Sequence, residues 1–248
     1  MRGSSVHPIG GPTRPSGRAA RPCTGPCLRA WLALLCSVLF AGWTPSVWAV
    51  DCGQTPLQAV APGVWAWPGA DQDLAASNGG AIVTNVVVMD EAQAHVIDPG
   101  ATQAHGQALY AATQCLGGVD IQAVWNSHAH AENTLGNSAF TDHGVEVWAT
   151  AETQAAMRQR CPACLRHVLE TLTPQQGAGT HIVIPQRVWS PALAWQTLRV
   201  GQQDWALRAF SHAHSESDLV WWDAQHRTLI AAGLVYQRRL PELAQGQL

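Results

Sequence analysis

SHAHAENTLGN, Ser127–Asn137, is the stretch on which the reading of this chain turns: two histidines one residue apart, then a carboxylate, then an amide. The apolar run DIQAVW (120–125) leads straight into it, which sets the doublet just beyond a strand. Side chains on extended backbone alternate with period two, so residues i and i+2 can send both imidazoles to one side. Such a pair is a compact clamp for zinc, which takes nitrogen ligands at about 2.0–2.1 Å in tetrahedral geometry. Two histidines alone are equally compatible with a polar loop. A second His-x-His lies in FSHAHSESDLVWWD (210–223), again between two strand runs. Two such doublets at strand ends, in a chain with only 11 histidines, set a metal site against satisfied loop histidines.

Working outward, the same alternation of strand and turn signals continues. GVWAWPG (63–69) reads as a short strand closed by Pro-Gly, and AIVTNVVVMDEAQAHVIDPG (81–100) as a hairpin around a polar centre. Helical composition follows in TQAHGQALYAATQCL (102–116) and in TAETQAAMRQRCPACLRHVLETL (150–172), which opens on Thr150. HIVIPQRVW, WQTLRVGQQDWALRAF and DLVWWDAQHRTLIAAGLVY supply paired strand runs. Interleaved strands and helices predict an α/β domain with sheets covered by helices. The runs IVTNVVV, AHVID and TLIAAGLV are apolar enough to be buried on both faces. Nine of the twelve tryptophans lie beyond residue 50 and are assigned to the core and its cover.

Charge is uneven. Five arginines and no acid precede position 50; beyond it, nine arginines against 17 acids leave −8, and there is no lysine. An acidic domain without basic runs excludes nucleic acid as the expected partner. The basic excess belongs to a leader rich in Arg, Pro and Gly, followed by the apolar run WLALLCSVLFAGW (31–43) and by small residues at Val47 and Ala49. Residues 1–49 are therefore read as a signal peptide with a long basic leader, and 50–248 as an exported, periplasmic or secreted domain. The apolar run falls short of the ~20 residues a spanning helix needs, so no stable membrane span is expected after cleavage.

Beyond the leader stand Cys52, Cys115, Cys161 and Cys164, expected in disulfides with three possible connectivities. CPAC (161–164) also fits a redox pair or half a zinc knuckle. It interrupts a helical stretch, however, and no second Cys-x-x-Cys completes a knuckle, so a structural disulfide is the expectation.

Residues 60 to 240 resemble the metallo-β-lactamase superfamily, in a subgroup similar to the quinoprotein relay system zinc metallohydrolases. VAPGVWAWPG resembles its opening strands and VIDPG (96–100) its buried Asp-x-Gly turn. NSHAHAENTLGNSAF (126–140) resembles its metal loop, SHAHSESDLVWWD its third-histidine segment, and TLIAAGLVYQRRLPEL (228–243) its Gly-Asp-Leu-Val segment. The resemblance implies an αββα sandwich with metals at one edge of the two sheets. The family's fold continues past the last of these segments with a further strand and two helices. This sequence closes 15 residues after Gly233, so the sandwich is expected to be truncated there.

Carried over residue by residue, the resemblance implies a first metal site of His128, His130 and His214. Glu132 stands where the family has an aspartate, Asn133 where it has a histidine, and Gly233 where it has a bridging aspartate. One zinc ion is thus implied, with iron or manganese also compatible with imidazole, and the second site is degenerate. A three-histidine zinc with an open position lowers the pKa of bound water from 15.7 to about 7, which suffices for hydrolysis. Glu132 is the implied general base. Asp98 is implied as a support of the metal loop, and Asn133 and His212 as neighbours of the site or its substrate. Histidines 95, 105, 143, 167, 181 and 226 are assigned to polar surface or turns. Three readings stay open. One is a metal-dependent hydrolase of an ester, thioester or lactam. Another is a non-catalytic accessory module, linked by the subgroup resemblance to periplasmic quinoprotein dehydrogenases. The last is a decayed fragment.

Overall fold

The computed structural model describes residues 51–191 and 194–238. The leader and signal peptide assigned to residues 1–49, and residues 239–248, lie outside them.

Seven strands form the larger sheet in chain order: β1 (Gln58–Ala61), β2 (Val64–Trp67), β3 (Asn85–Asp90), β4 (Gln93–Ile97), β5 (Asp120–Trp125), β6 (Glu146–Thr150) and β7 (Arg187–Trp189). The first four run as an antiparallel meander. The β3–β4 hairpin closes on Glu91 and Ala92, with Glu91 in left-handed backbone (φ 53°), as the polar centre of that segment predicts. From β4 onward the strands are parallel, and each step needs a crossover. These crossovers carry α1 (Gln103–Gln114), α2 (Ala131–Thr134) with α3 (Asn137–Thr141), and α4 (Ala151–Thr171) with α5 (Pro174–Gly177). Thr102, Thr150 and Thr173 each cap a helix by accepting a backbone N–H. The second sheet is antiparallel, with β11 (Thr228–Ile230), β10 (Ser217–Asp223), β9 (Gln203–Ser211) and β8 (Gln196–Val200) side by side.

Period-two alternation sorts the core. Val87, Val96, Val124 and Val147 face α1 and α3 through Leu109, Ala112 and Phe140. Val86, Val88, Ile97 and Trp125 face the second sheet through Trp205, Leu207, Leu219 and Trp221. The described residues thus stack a helical layer, the larger sheet and the smaller sheet, the mixed α/β architecture expected.

Four expectations are corrected. CPAC does not break the helix: α4 runs through it, with Pro162 inside. Cys161 and Cys164 are thiols, and the disulfide joins Cys52 to Cys115. Residues i and i+3 of a helix hold their Cβ atoms about 5–6 Å apart, beyond the ~3.8 Å a disulfide requires. TLIAAGLV is not a strand buried on both faces. β11 has three residues at the sheet edge, Leu229 is 52% exposed, and a 3-10 turn at Ala232–Leu234 follows. Lastly, His95 and His105 are buried rather than at the surface. His95 accepts the Trp125 indole N–H at 2.9 Å, and His105 Nε2 lies 2.8 Å from Asn85 Oδ1. Burial pushes both imidazoles down to about 4, so both are neutral near pH 7.

Candidate metal centre

β4 and β5 are parallel neighbours and end side by side, which brings the segments after them together. Asp98, directly after β4, donates its N–H to the Trp125 carbonyl at the end of β5 (2.9 Å). Its φ of 58° is a left-handed conformation that a short polar side chain tolerates. The loop after β5 is tied to the other sheet by Leu219 N–H donating to Ser127 O (2.9 Å). His214 sits in the turn entering β10. That turn is pinned by Ser215 N–H on Asp218 Oδ2 (2.8 Å), Ser215 Oγ on Ser217 O (3.0 Å), and Arg160 of α4 on Glu216.

These two anchored segments bring His128, His130 and His214 together, with one ligand nitrogen from each within 4.8 Å of the others. The ring centroids form a nearly equilateral triangle of 4.7, 5.0 and 4.7 Å, with the ring planes 70–77° apart. The three residues are 2%, 6% and 5% exposed. His214 Nε2 lies 3.3 Å from His130 Nδ1. A tetrahedral centre with bonds near 2.05 Å separates its ligands by about 3.3–3.4 Å, so the His130–His214 pair already has the spacing of two ligands on one divalent ion. The electrostatics agree: burial, then the neighbouring His130 and His214, hold the His128 imidazole well below its usual value. Converging buried lone pairs repel unless a cation or proton sits among them.

The orientation of His128 is set by Asp98 through Ser127. Asp98 Oδ1 accepts the Ser127 N–H (2.8 Å), and Oδ2 accepts the Ser127 hydroxyl (2.6 Å). Having donated its proton, Ser127 Oγ accepts from His128 Nδ1 at 2.8 Å. Nδ1 therefore carries the hydrogen, and Nε2 turns its lone pair toward the cluster. Burial raises the Asp98 carboxyl to about 6, against the opposing bonds from Ser127 and Asn133, so it remains ionised near pH 7. Ser127 was not singled out in the sequence. Its signal would have been a hydroxyl next to a ligand histidine, downstream of a buried aspartate.

The other site residues take distinct places. Glu132 Oε1 lies 3.6 Å from His130 Nδ1. Burial pushes its carboxyl up, but His130, its own backbone N–H and His214 together more than offset this and leave it below the ordinary range. Asn133 is buried, its side chain bonding Asp98, with Oδ1 lacking a protein partner. Gly233 packs directly on the cluster: a Cβ there would fall 2.4 Å from His214 Cδ2 and 3.2 Å from His128 Cε1. His212 stays outside the cluster, exposed, with φ 55° and its N–H on Glu216 O. Tyr236 was not anticipated, yet its hydroxyl lies 3.2 Å from His214 Nε2. A cleft of about 1190 Å³ opens over the cluster, lined by Asp98, His128, His130, Glu132, Gly233 and Tyr236 among others.

No protein-family model matches this chain, and no curated protein matches it in sequence. Solved structures do match. The metallo-beta-lactamase from Pontibacter korlensis aligns at a TM-score of 0.59 and 14% identity, over 77% of this chain and 78% of that one. The metallo-beta-lactamase from Hirschia baltica gives 0.52 and 15%, over 71% and 69%. The metallo-beta-lactamase IND-7 gives 0.55 and 13%, over 76% and 75%. The chain has the metallo-β-lactamase fold.

Proposed function

We propose that this chain, carrying a three-histidine cluster on the metallo-β-lactamase fold, is an exported metal-dependent hydrolase-like protein with a single zinc site. The observation that carries the reading is the convergence of three buried imidazole nitrogens beneath an open cleft. His128, His130 and His214 would hold the ion. When bound, it acts as a Lewis acid and supplies hydroxide near neutral pH. The chain's own residues do the rest. Asp98 and Ser127 lock the His128 tautomer. The ionised Glu132 carboxylate is a proton acceptor facing the cleft, suited to take a proton from water and return it to a leaving group.

The substrate class is an ester, thioester or lactam. Asp71, Asp73, Asp98 and Glu132 against Arg238 make the described cleft lining acidic, a charge that a bound divalent ion would largely offset. Export rests on residues 31–49 of the sequence and is supported by the Cys52–Cys115 disulfide, a bond typical of oxidising compartments. A place beside periplasmic quinoprotein dehydrogenases rests on the sequence resemblance.

A second reading, a non-catalytic accessory module, is favoured by Gly233 and Asn133. The first offers no carboxylate for a second ion, and the second spends its amide on Asp98. Metal content per chain decides the site: about one zinc in the wild type and near none in His130→Ala is expected. No metal in the wild type overturns the proposal. One zinc with no hydrolysis across ester, thioester and lactam panels favours the accessory module.

A further inference from the structure

We propose that the Tyr236 hydroxyl is the fourth ligand of the metal held by His128, His130 and His214; this rests on the metal-binding reading above. Tyr236 Oη lies 3.2 Å from His214 Nε2, the same nitrogen that lies 3.3 Å from His130 Nδ1. Both separations match the edge of a tetrahedral coordination shell, about 3.3 Å for bonds near 2.0 Å. A cation on His214 uses the Nε2 lone pair, so this nitrogen can no longer accept a hydrogen bond from the phenol. The same contact, read as ligand beside ligand, has the spacing of a shared ion.

The fold accounts for how the phenol arrives there. Gly233 presents no side chain, and the Ala232–Leu234 turn lies against the His214 ring. Tyr236 follows two residues later, its ring tilted 59° to that of His214 with centroids 5.6 Å apart. The oxygen rather than the ring face therefore meets the imidazole. Glu132 is the competing donor. It reaches His130 at 3.6 Å but does not join the group of mutually close ligand atoms. A phenol oxygen is a weaker donor than imidazole. With the Tyr236 residue 37% exposed, it can yield this position to the water that the proposed hydrolysis needs.

The test uses the full chain, wild type and Tyr236→Phe, with zinc affinity measured by chelator competition and the visible spectrum recorded with Co2+. Folding is checked by circular dichroism. The proposal expects Tyr236→Phe to bind zinc roughly tenfold or more weakly, the range seen when a group supporting a metal is lost. It also expects a changed Co2+ ligand-field spectrum as solvent replaces the phenol. Equal affinity and an unchanged spectrum overturn it while leaving the histidine site intact. A wild type that binds no metal overturns both readings. A crystal of the wild-type zinc complex decides without any variant: a Tyr236 oxygen at about 2.0–2.3 Å from zinc supports the proposal, and one beyond about 3 Å refutes it.

Discussion

Replacing Gly233 by alanine isolates the packing of the cluster. The added methyl carbon would lie 2.4 Å from His214 Cδ2 and 3.2 Å from His128 Cε1. Carbon atoms rest about 3.5–4.0 Å apart, so the His214 ring must retreat by roughly 1 Å. Metal–ligand distances tolerate only about 0.2 Å, so a retreat of that size removes one ligand in three. The backbone adds no penalty, because Gly233 is absent from the left-handed positions of the chain. Alanine there reduces unfolded-state entropy and, without the clash, would stabilise by about 0.4–1 kcal/mol. Overpacking instead costs about 1–3 kcal/mol. Zinc competition together with urea denaturation of the metal-free protein measures both effects. Affinity should fall at least 100-fold, on the order of 3 kcal/mol, and stability should drop by about 1–3 kcal/mol. An alanine variant as stable as the wild type, with the same zinc affinity, would refute the placement of Gly233 against the ligand rings.

Ser127→Ala removes the link between Asp98 and His128 Nδ1; it should weaken zinc roughly 10- to 100-fold by the same competition and cost about 1–3 kcal/mol of stability, because two buried polar groups lose their partner. The double variant Cys52→Ser, Cys115→Ser opens a loop with a sequence separation of 63 and should cost about 4 kcal/mol in urea denaturation. Alkylation of the unfolded, unreduced protein should label Cys161 and Cys164 but not Cys52 or Cys115; a 161–164 bridge would contradict the helix through CPAC. His95 and His105 stay neutral down to about 4 in the fold, so the unfolded chain takes up their protons first. Stability is then full above about pH 6.5 and falls between 6.5 and 4, by at most about 3 kcal/mol for each histidine. Asp98, raised to about 6, acts oppositely, losing stability as pH rises from about 4 to 6. Metal-free denaturation curves at several pH values should show a shallower acid loss for His105→Gln, and an unchanged slope would count against the burial of that ring.

How much was legible from the chain depends on distance along it. His128 and His130 are two residues apart after an apolar run, so local alternation marked a candidate clamp, and the resemblance made them ligands. The resemblance chose His214 over His212, and the turn supplies the physical reason: with φ 55° and its N–H on Glu216 O, His212 is exposed outside the cluster. His95 was misread as surface although it sits between Ala94 and Val96, both fully buried, because a histidine in an apolar strand needs a partner that sequence does not display. That partner, Trp125, is 30 residues away. CPAC lies inside the helical stretch read from composition, and packing of Met157, Cys161 and Val168 holds the helix through Pro162.

Residue order alone determined the alternation of strands and helices, the threonine caps and the imidazole chemistry. Each depends on dihedral preferences and neighbours within a few positions. Only the tertiary structure decided that the three imidazoles implied by the resemblance converge within 4.8 Å, that Asp98 fixes a tautomer through Ser127, and that Tyr236 reaches His214 Nε2. His130 and His214 are separated by 84 residues and meet because the two sheets pack on each other, with the Leu219–Ser127 backbone hydrogen bond tying them beside the site. Closure of that kind depends on how whole sheets pack, and no local pattern encodes it.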